Sequence, residues 1–410
     1  MNTRPAIESS NNPVALSASF NQDASCFVVG LDTGFCSKSL ASCHSEVHAK
    51  SSYYFSVFNS EPCNLVHSRD FNGGIGAAAM LRKTNFIALI GGGKQPKFPP
   101  NKVIVWDNAK QKVAIQIPFL ATVRGVKLSE THIVVALQNS IRVYSFQYSP
   151  KLWAVFETAD NPLGLCCLTP KILIFPGRTP GQVQLVELST GNVSIIPAHG
   201  SSLRAIDISR DGEVLATASE TGTLVRVFAT SNCARIAELR RGVDHATVYS
   251  LSIAPSGQLL AVTSDKSTLH IFDIPHPSKP PRADATNATR RLTSQGGGSA
   301  ALSDAETSQK WGILGRIPLL PRVFSDVYSF ASAHFEIGDE PNFGGSTPLN
   351  SPVDSGFRPP KGVIGWTSDH SLIVLGAGRD GRWEKFIIAE GEDGKRYCVR
   401  DGWKRYLGIS

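Results

Sequence analysis

Ser209-Arg-Asp-Gly-Glu-Val-Leu-Ala-Thr-Ala-Ser219 is followed 45 residues later by a second version of itself, Ala254-Pro-Ser-Gly-Gln-Leu-Leu-Ala-Val-Thr-Ser264. Each copy begins with a turn that contains glycine and continues with alternating apolar residues, which predicts a β-strand after a tight turn. A further strand-like segment follows each copy, at residues 224–228 and 269–273. A repeat of this length is typical of the four-stranded blades of a WD40-like β-propeller.

The same pattern extends over the rest of the chain. Weaker copies of the last segment occur at residues 103–107 and 141–145, and no long amphipathic helix interrupts the short strands. One blade cannot bury both faces of its own sheet, so the repeats are expected to close into a ring. The segments predict an all-β protein, a seven-bladed WD40-like β-propeller that occupies residues 1–410 as one domain. The last blade, near residues 362–408, is expected to be completed by the N-terminal strand.

Residues 36–56 form an atypical insertion in the first blade. The sequence around them reads as though Phe35 should lead directly into Val57. The insertion is either a lineage-specific loop or an intron translated in error. Its lack of a strand pattern and its two cysteines, Cys36 and Cys43, favour the intron.

A long loop at residues 275–329 interrupts the sixth blade. Its first half is rich in Pro, Ser, Gly and Arg, and its second half is apolar. Cations beside apolar side chains suit the interface of an anionic membrane, although a connector that packs its apolar end on the propeller would have the same composition. The end of this region, residues 328–335, is expected to complete the sixth blade. The candidates for membrane insertion are Trp311, Ile313, Leu314, Leu319 and Leu320.

Composition narrows the possible partners. The chain of 410 residues is 41% hydrophobic and 18% charged, which is typical of a globular protein with a sizeable core. It has no apolar run long enough for a membrane-spanning helix and no apolar signal peptide at its N-terminus. Its eight cysteines form no C-x-x-C pairs, so they are read as reduced packing residues of a cytoplasmic protein. A net charge of +7 favours acidic partners.

Three matches to catalytic motifs fail in their context. Residues 74–79 fit G-x-G-x-x-A but open no helix, and residues 91–94 lack the hydroxyl residue of a phosphate-binding loop. His44-Ser45-Glu46 resembles part of a zinc deaminase motif, but Val66 stands where a cysteine ligand is required. The chain is therefore predicted not to be an enzyme, and no cofactor or metal is expected.

Two adjacent arginines lie between the two matching repeats, in the motif Leu239-Arg240-Arg241-Gly242. Neighbouring side chains of a strand point to opposite sides, so the two cations can serve two separate anionic sites. Ser, Thr and His residues precede the pair in one repeat and follow it in the next. Hydroxyl, imidazole and guanidinium groups all donate hydrogen bonds to phosphate oxygens, although Ser and Thr are also ordinary strand residues.

This motif between two WD40-like blades resembles the Phe/Leu-Arg-Arg-Gly signature of the PROPPINs, a family of phosphoinositide-binding β-propellers. Further similarity lies in Asn161-Pro-Leu-Gly-Leu-Cys166, in Phe175-Pro-Gly-Arg178 and in Ala198-His199, so that it covers nearly the whole chain. Membership would imply that each arginine binds one headgroup, of phosphatidylinositol 3-phosphate or of the 3,5-bisphosphate. The long loop would correspond to the membrane-inserting loop of the family.

The resemblance implies two sets of binding residues. Site one would contain Arg240, His199, Ser201, Ser219, Thr221 and Thr223. Site two would contain Arg241, His245, Ser264, Lys266, Thr268 and His270. The arginines transfer directly from the motif, whereas the other residues transfer by position only.

The family also implies a cellular role. The chain would be cytoplasmic and peripheral on vacuolar, endosomal and pre-autophagosomal membranes, acting as a scaffold in autophagy and membrane traffic. It would recruit the autophagy lipid-transfer protein through its early blades, and no nucleic acid is expected as a partner. The alternative is a WD40 scaffold that binds protein or RNA partners and no lipid.

Overall fold

The computed structural model describes residues 14–32, 54–93, 95–280, 327–337 and 360–407. Within these ranges the strands form seven sheets, and five of the sheets contain only strands that follow one another in the chain. Neighbouring strands are antiparallel in every sheet, apart from one short parallel pair in the fifth. The prediction of an all-β, seven-bladed propeller is confirmed. No helix in these ranges is long and apolar enough to cross a membrane.

The first four blades have four strands each. Blade one contains β1 (Ala15–Phe20), β2 (Cys26–Leu31), β3 (Tyr54–Asn59) and β4 (Asn64–Asp70). Blade two contains β5 (Ile75–Met80), β6 (Phe86–Gly91), β7 (Lys102–Asp107) and β8 (Lys112–Pro118). Blade three contains β9 (Gly125–Leu128), β10 (His132–Ala136), β11 (Ser140–Ser145) and β12 (Leu152–Glu157). Blade four contains β13 (Cys167–Leu168), β14 (Ile172–Pro176), β15 (Gln182–Glu187) and β16 (Val193–Pro197).

The last three blades include the candidate site. Blade five contains β17 (Leu203–Ile208), β18 (Val214–Ser219), β19 (Leu224–Ala229) and β20 (Arg235–Arg240). It also takes up β24 (Val327–Tyr328) as a fifth strand. Blade six contains β21 (Val248–Ile253), β22 (Leu259–Ser264), β23 (Thr268–Asp273) and β25 (Ala331–His334). Blade seven contains β26 (Val363–Ser368), β27 (Ser371–Gly376), β28 (Arg382–Glu390) and β29 (Arg396–Arg405).

The two matching repeats occupy the same place in their blades. They form β18 and β22, the second strands of blades five and six, and all six residues of each strand are buried. The turn before each strand needs a left-handed backbone, which glycine adopts without strain. Gly212 has φ of +83° and Gly257 has φ of +76°. The repeated sequence is therefore a repeated turn and buried strand.

The blades are joined by apolar side chains. Seven hydrophobic clusters lie at the seven interfaces between neighbouring blades. At the interface of blades five and six, for example, Val225 and Leu239 pack with Val248 and Leu260, and all four are almost fully buried. Because residues of a strand alternate between the two faces of its sheet, each blade supplies side chains to both of its neighbours.

The ring closes between blades seven and one in an unexpected way. Blade seven has four strands of its own, so the prediction that the N-terminal strand completes it is wrong. That strand, β1, is instead the inner strand of blade one. The backbone of Ala15 exchanges hydrogen bonds with Gly378 of blade seven, at 2.9 and 2.8 Å. The side chain of Arg210, from blade five, adds bonds to the carbonyl oxygens of Asp23 and Trp366, both at 3.1 Å.

The first blade forms around the predicted insertion. Strands β2 and β3 pair from Cys26 opposite Asn59 to Gly30 opposite Phe55. Strand β3 begins at Tyr54, so the last three residues of the predicted insertion belong to the sheet. Residues 36–53 lie outside the described residues.

The long loop of blade six returns by way of blade five. Strand β24 pairs in parallel with β20, with Val327 opposite Leu239 and Tyr328 opposite Arg240. The chain then crosses to β23, where β25 completes blade six. Tyr328 therefore belongs to the edge of blade five, and the prediction that residues 328–335 complete blade six holds only for residues 331–334.

Candidate functional site

The arginine pair lies at the outer edge of blade five, where the chain leaves for blade six. Arg240 ends β20 between Leu224 of β19 and Tyr328 of β24, and Arg241 begins the link to β21. Arg240 is half-buried, whereas Arg241 is only 8% exposed. The two neighbours therefore differ in their surroundings as well as in their direction.

Arg241 is fixed by backbone carbonyl groups. Its own N–H donates to the oxygen of Thr223 at 2.9 Å, its Nε donates to Gly222 at 2.9 Å, and its Nη2 donates to Asp244. Burial lowers the pKa of Arg241, and the carboxylates of Asp265 and Asp244 oppose that shift. An arginine starts from so high a pKa that the group stays charged. The two side-chain bonds use two of its five N–H donors, so the charge is held rigidly with donors left for an anion.

The turn that holds Arg241 depends on Gly222. This glycine has φ of +63°, and a Cβ placed on it would lie 1.7 Å from the carbonyl oxygen of Ala246. Blade five and the link to blade six therefore touch backbone to backbone at the point where Arg241 is anchored. Only glycine permits that approach.

Blade six supplies polar groups beside Arg241. Burial lowers the pKa of His270, and the nearby charge of Arg241 lowers it further. Its Nδ1 lies 3.1 Å from the hydroxyl of Ser329. Ser264 and Thr268 lie at the two ends of the β22–β23 turn, with their hydroxyl oxygens 3.5 Å apart. Lys266 lies in the same turn.

His245 differs from the other predicted residues of site two. It lies in the link between β20 and β21 and is exposed. Its place in site two rests on sequence position alone, and it stays a prediction.

A second set of polar side chains, which includes His199 and Thr217, lies on the side of blade five that faces blade four. Nε2 of His199 lies 3.0 Å from the hydroxyl of Thr217, which itself donates to the carbonyl oxygen of Arg226. Because that hydroxyl proton is used, Nε2 of His199 must be the donor to Thr217. Burial, followed by the charge of Arg226, lowers the pKa of His199 to about 4, so the imidazole is neutral near pH 7.

Three of the predicted hydroxyl residues of site one lie in or beside the turn between β18 and β19 of blade five. Ser219 and Thr221 lie 2.9 Å apart through their hydroxyl oxygens, and Ser219 is buried. Thr223 accepts the backbone N–H of Arg241 through its carbonyl oxygen, and Ser201 is half-buried before β17. The structure thus gathers Ser219, Thr221 and Thr223 around one turn.

Arg226 and Glu238 lie beside the predicted site one, although the sequence motifs do not include them. Arg226 donates through Nε to Glu238 at 2.8 Å and through Nη1 to the carbonyl oxygen of Ala198 at 2.6 Å. Glu238 lies two residues before Arg240 in β20, so the two side chains share one face of the strand. Arg240 therefore faces the side of Arg226 and His199, whereas Arg241 faces His270. A charged residue in the middle of the apolar segment 224–228 is the sequence signal that marks Arg226.

A cavity of about 300 Å³ adjoins the side that faces blade four. Arg226 lines it together with Ile196, Pro197, Ala198, Phe228, Cys233 and Arg235. Arg235 also donates to Glu238, at 2.8 Å, so one carboxylate is shared by two guanidinium groups.

The stem of the long loop is held against blades five and six. The side chain of His276 is fully buried, and its Nε2 lies 2.9 Å from a carboxylate oxygen of Asp211. Lys279 bonds the same carboxylate at 2.9 Å, and Gln258 donates to the carbonyl oxygen of Pro280 at 2.6 Å. The predicted insertion residues Trp311, Ile313, Leu314, Leu319 and Leu320 lie outside the described residues.

Burial keeps several cysteine thiols of the described ranges in their protonated form. Cys26, Cys63, Cys166, Cys167, Cys233 and Cys398 are unpaired thiols. Burial raises the pKa of Cys63 and of Cys166 to about 11 and that of Cys398 to about 12, which makes these thiols unreactive. Within the same ranges, no group of three or more His, Cys, Asp or Glu residues is arranged to hold a metal ion.

Comparison with known proteins gives consistent matches. The family model described as PROPPIN matches residues 95–287. SVP1-like protein 2 of Emericella nidulans is 61% identical over 330 residues, which cover 80% of this chain and 99% of that protein. SVP1-like protein 2 of Neurospora crassa is 45% identical over 457 residues, covering 100% of this chain and 99% of that protein.

Solved structures share the fold at lower identity. The crystal structure of Hsv2 from Kluyveromyces marxianus has a TM-score of 0.68 and 21% identity, covering 97% of this chain and 100% of that one. A complex of KlAtg21 with the coiled-coil of AgAtg16 has a TM-score of 0.61 and 17% identity, covering 96% of this chain and 99% of that one.

Proposed function

This chain belongs to the PROPPIN family of phosphoinositide-binding β-propellers, and we propose that it is a peripheral membrane scaffold that binds two phosphoinositide headgroups at the edge of blades five and six. The observation that carries the proposal is the divergence of Arg240 and Arg241. Arg240 shares a strand face with Glu238, which bonds Arg226, and Arg241 lies beside His270. Each cation has its own set of polar neighbours.

The chemistry of each set suits a phosphomonoester. Such a group carries close to two negative charges and three acceptor oxygens at neutral pH. Arginine matches it with parallel N–H donors, and the serine and threonine hydroxyls satisfy the remaining oxygens. Because both nearby histidines are neutral in the ligand-free protein, the positive charge comes mainly from the arginines.

The finer proposal concerns the lipids and the membranes. The expected ligands are phosphatidylinositol 3-phosphate and phosphatidylinositol 3,5-bisphosphate, on vacuolar, endosomal and pre-autophagosomal membranes. Two modest sites on one rigid edge would bind a vesicle much more tightly than either site alone, since the first contact raises the effective concentration for the second. The long loop would add an apolar anchor beside them.

Protein partners complete the proposed role in autophagy. The structural relative KlAtg21 forms a complex with a coiled-coil of AgAtg16, which supports recruitment of autophagy proteins by propellers of this fold. For this chain the proposed partner is the autophagy lipid-transfer protein, bound through the early blades. The membrane-bound edge would then leave the opposite side of the ring accessible.

A flotation experiment tests the proposal. The protein is mixed with vesicles that contain phosphatidylinositol 3-phosphate, and the fraction that floats is compared for the native chain and for Arg240→Thr with Arg241→Thr. The native chain should float and the double variant should not. The matched control is Arg178→Thr with Arg405→Thr, which removes the same charge from side chains that are 72% and 60% exposed elsewhere. Equal flotation of the native chain and the Arg240/Arg241 variant would favour a protein- or RNA-binding scaffold instead.

A further inference from the structure

Ser329 is held at the crossing from blade five to blade six. The two residues before it form β24 on the edge of blade five, with Tyr328 opposite Arg240. The residue after it, Phe330, donates its N–H to the carbonyl oxygen of Ile271 in blade six at 3.0 Å. The backbone of Ser329 is therefore fixed on both sides, although it follows the long loop.

The side chain of Ser329 contacts the imidazole of the proposed second site. Its hydroxyl lies 3.1 Å from Nδ1 of His270, across 59 residues of sequence. His270 stands beside Arg241, and burial together with that cation keeps the imidazole neutral near pH 7 by lowering its pKa. A neutral imidazole carries a single proton, on Nδ1 or on Nε2, and the partner of one nitrogen decides which of them carries it.

A neutral His270 can bind a phosphate beside Arg241 only by donating an N–H hydrogen bond, because phosphate oxygens are acceptors. Nδ1 faces Ser329, so the nitrogen that can reach an anion is Nε2, which has no hydrogen-bond partner in the described part of the chain. Nε2 can donate only if Nδ1 is unprotonated and accepts a hydrogen bond. A serine hydroxyl is able to donate that bond, whereas a backbone carbonyl oxygen at the same place would force the opposite tautomer.

We infer that Ser329 is a positioning residue of the second phosphomonoester site: its hydroxyl donates to Nδ1 of His270 and so holds the proton on Nε2, where it is donated to the headgroup. This inference rests on the proposed function. It gives the second site a component that comes from the end of the long loop and not from the repeated part of the blades.

The test measures binding of inositol 1,3-bisphosphate, the water-soluble headgroup of phosphatidylinositol 3-phosphate, by calorimetry. Arg240→Thr serves as the parent, so that only the second site contributes. Adding Ser329→Ala should lower the affinity for the headgroup about 3- to 10-fold, the size expected for the loss of one hydrogen bond. Adding Ser329→Thr should restore most of the affinity, because threonine keeps the hydroxyl.

The matched control is Ser332→Ala, a neighbouring serine that lies opposite His270 in the β23–β25 ladder and is exposed. Its removal should leave binding unchanged. In the Arg241→Thr background, Ser329→Ala should add no further loss, since the effect belongs to the second site. Nitrogen NMR of His270 should show the proton on Nε2 in the parent and partly on Nδ1 after Ser329→Ala.

Three results would overturn the inference while the parent still binds. They are unchanged affinity after Ser329→Ala, an equal loss after Ser332→Ala, and a loss that Ser329→Thr fails to restore. A native chain that binds no headgroup at all would instead overturn the proposed function.

Discussion

Arg241 has two tasks, and exchanging it for lysine separates them. The guanidinium holds the link between blades five and six by donating to Gly222 and to Asp244, and it presents its other donors to the proposed headgroup. Lysine keeps the charge but ends in one ammonium group, which cannot bond both carbonyl oxygens and a phosphate in the same geometry.

The expected cost follows from these contacts. Loss of one hydrogen bond from a charged donor at a side chain that is 8% exposed should lower the free energy of unfolding by about 2 kcal/mol. Loss of the paired N–H donors should also lower the affinity of the second site for the headgroup about 10- to 100-fold. Arg241→Lys should therefore reduce stability and binding together.

Urea unfolding and calorimetry with inositol 1,3-bisphosphate measure the two effects. The control is Arg178→Lys, whose side chain is 72% exposed and which should change stability by less than about 0.5 kcal/mol. Unfolding followed by both circular dichroism and fluorescence establishes that a single transition is being compared. An Arg241→Lys variant as stable as the native chain would refute the structural task assigned to the guanidinium.

Three further predictions concern the surroundings of the site. Because the pKa of His199 is lowered to about 4 from 6.5, the unfolded chain binds a proton there before the folded chain does, so stability should fall as pH drops from about 6.5 to about 4. Urea unfolding at a series of pH values should show a shallower fall for His199→Gln, and an identical slope would contradict this assignment. Gly222→Ala should lower the free energy of unfolding by at least about 1 kcal/mol and weaken headgroup binding at the second site. The control is Gly242→Ala, whose Cβ would meet nothing within 4 Å and which should unfold like the native chain. Equal unfolding of the two variants would show that the close approach at Gly222 is unimportant. The last prediction replaces Trp311, Leu319 and Leu320 of the long loop with serine. Vesicle flotation should decrease, whereas headgroup binding measured by calorimetry should not change. A loss of both would place these residues in the core.

The repeat made the fold predictable. Residues 214–219 and 259–264 match because both are second strands that are buried on both faces, and burial restricts sequence strongly. The position of the arginine pair was predictable for a related reason, since it lies at the end of β20 between two recognisable blades. Arg241 lies one residue beyond β20, but its N–H still bonds Thr223, so the alternation of the strand accounts for the opposite directions of the two side chains.

The ring closure and the return of the long loop could not be predicted from the repeat. Closure depends on which four segments pair in blade seven, and the N-terminal strand would have fitted there equally well by pattern. Strand β24 has two residues, Val327 and Tyr328, and its parallel partner lies almost ninety residues earlier in the chain. Such a short and distant pairing leaves no periodic signal.

The polar network around the site was only partly predictable. The hydroxyl and histidine residues were identified as donors by type, but which of them contact each other depends on tertiary contacts. His199 donates to Thr217 instead of standing free, and Ser329 reaches His270 from outside the repeat. Burial and a neighbouring arginine lower the pKa of both histidines, and neither cause is visible in a sequence pattern.

The stoichiometry of headgroup binding tests the central claim most directly. Calorimetry with inositol 1,3-bisphosphate should give two bound headgroups for the native chain, one for Arg240→Thr, one for Arg241→Thr and none for the double variant. One headgroup for the native chain, abolished by either single substitution, would contradict two separate sites and would mean that the adjacent arginines share one phosphate.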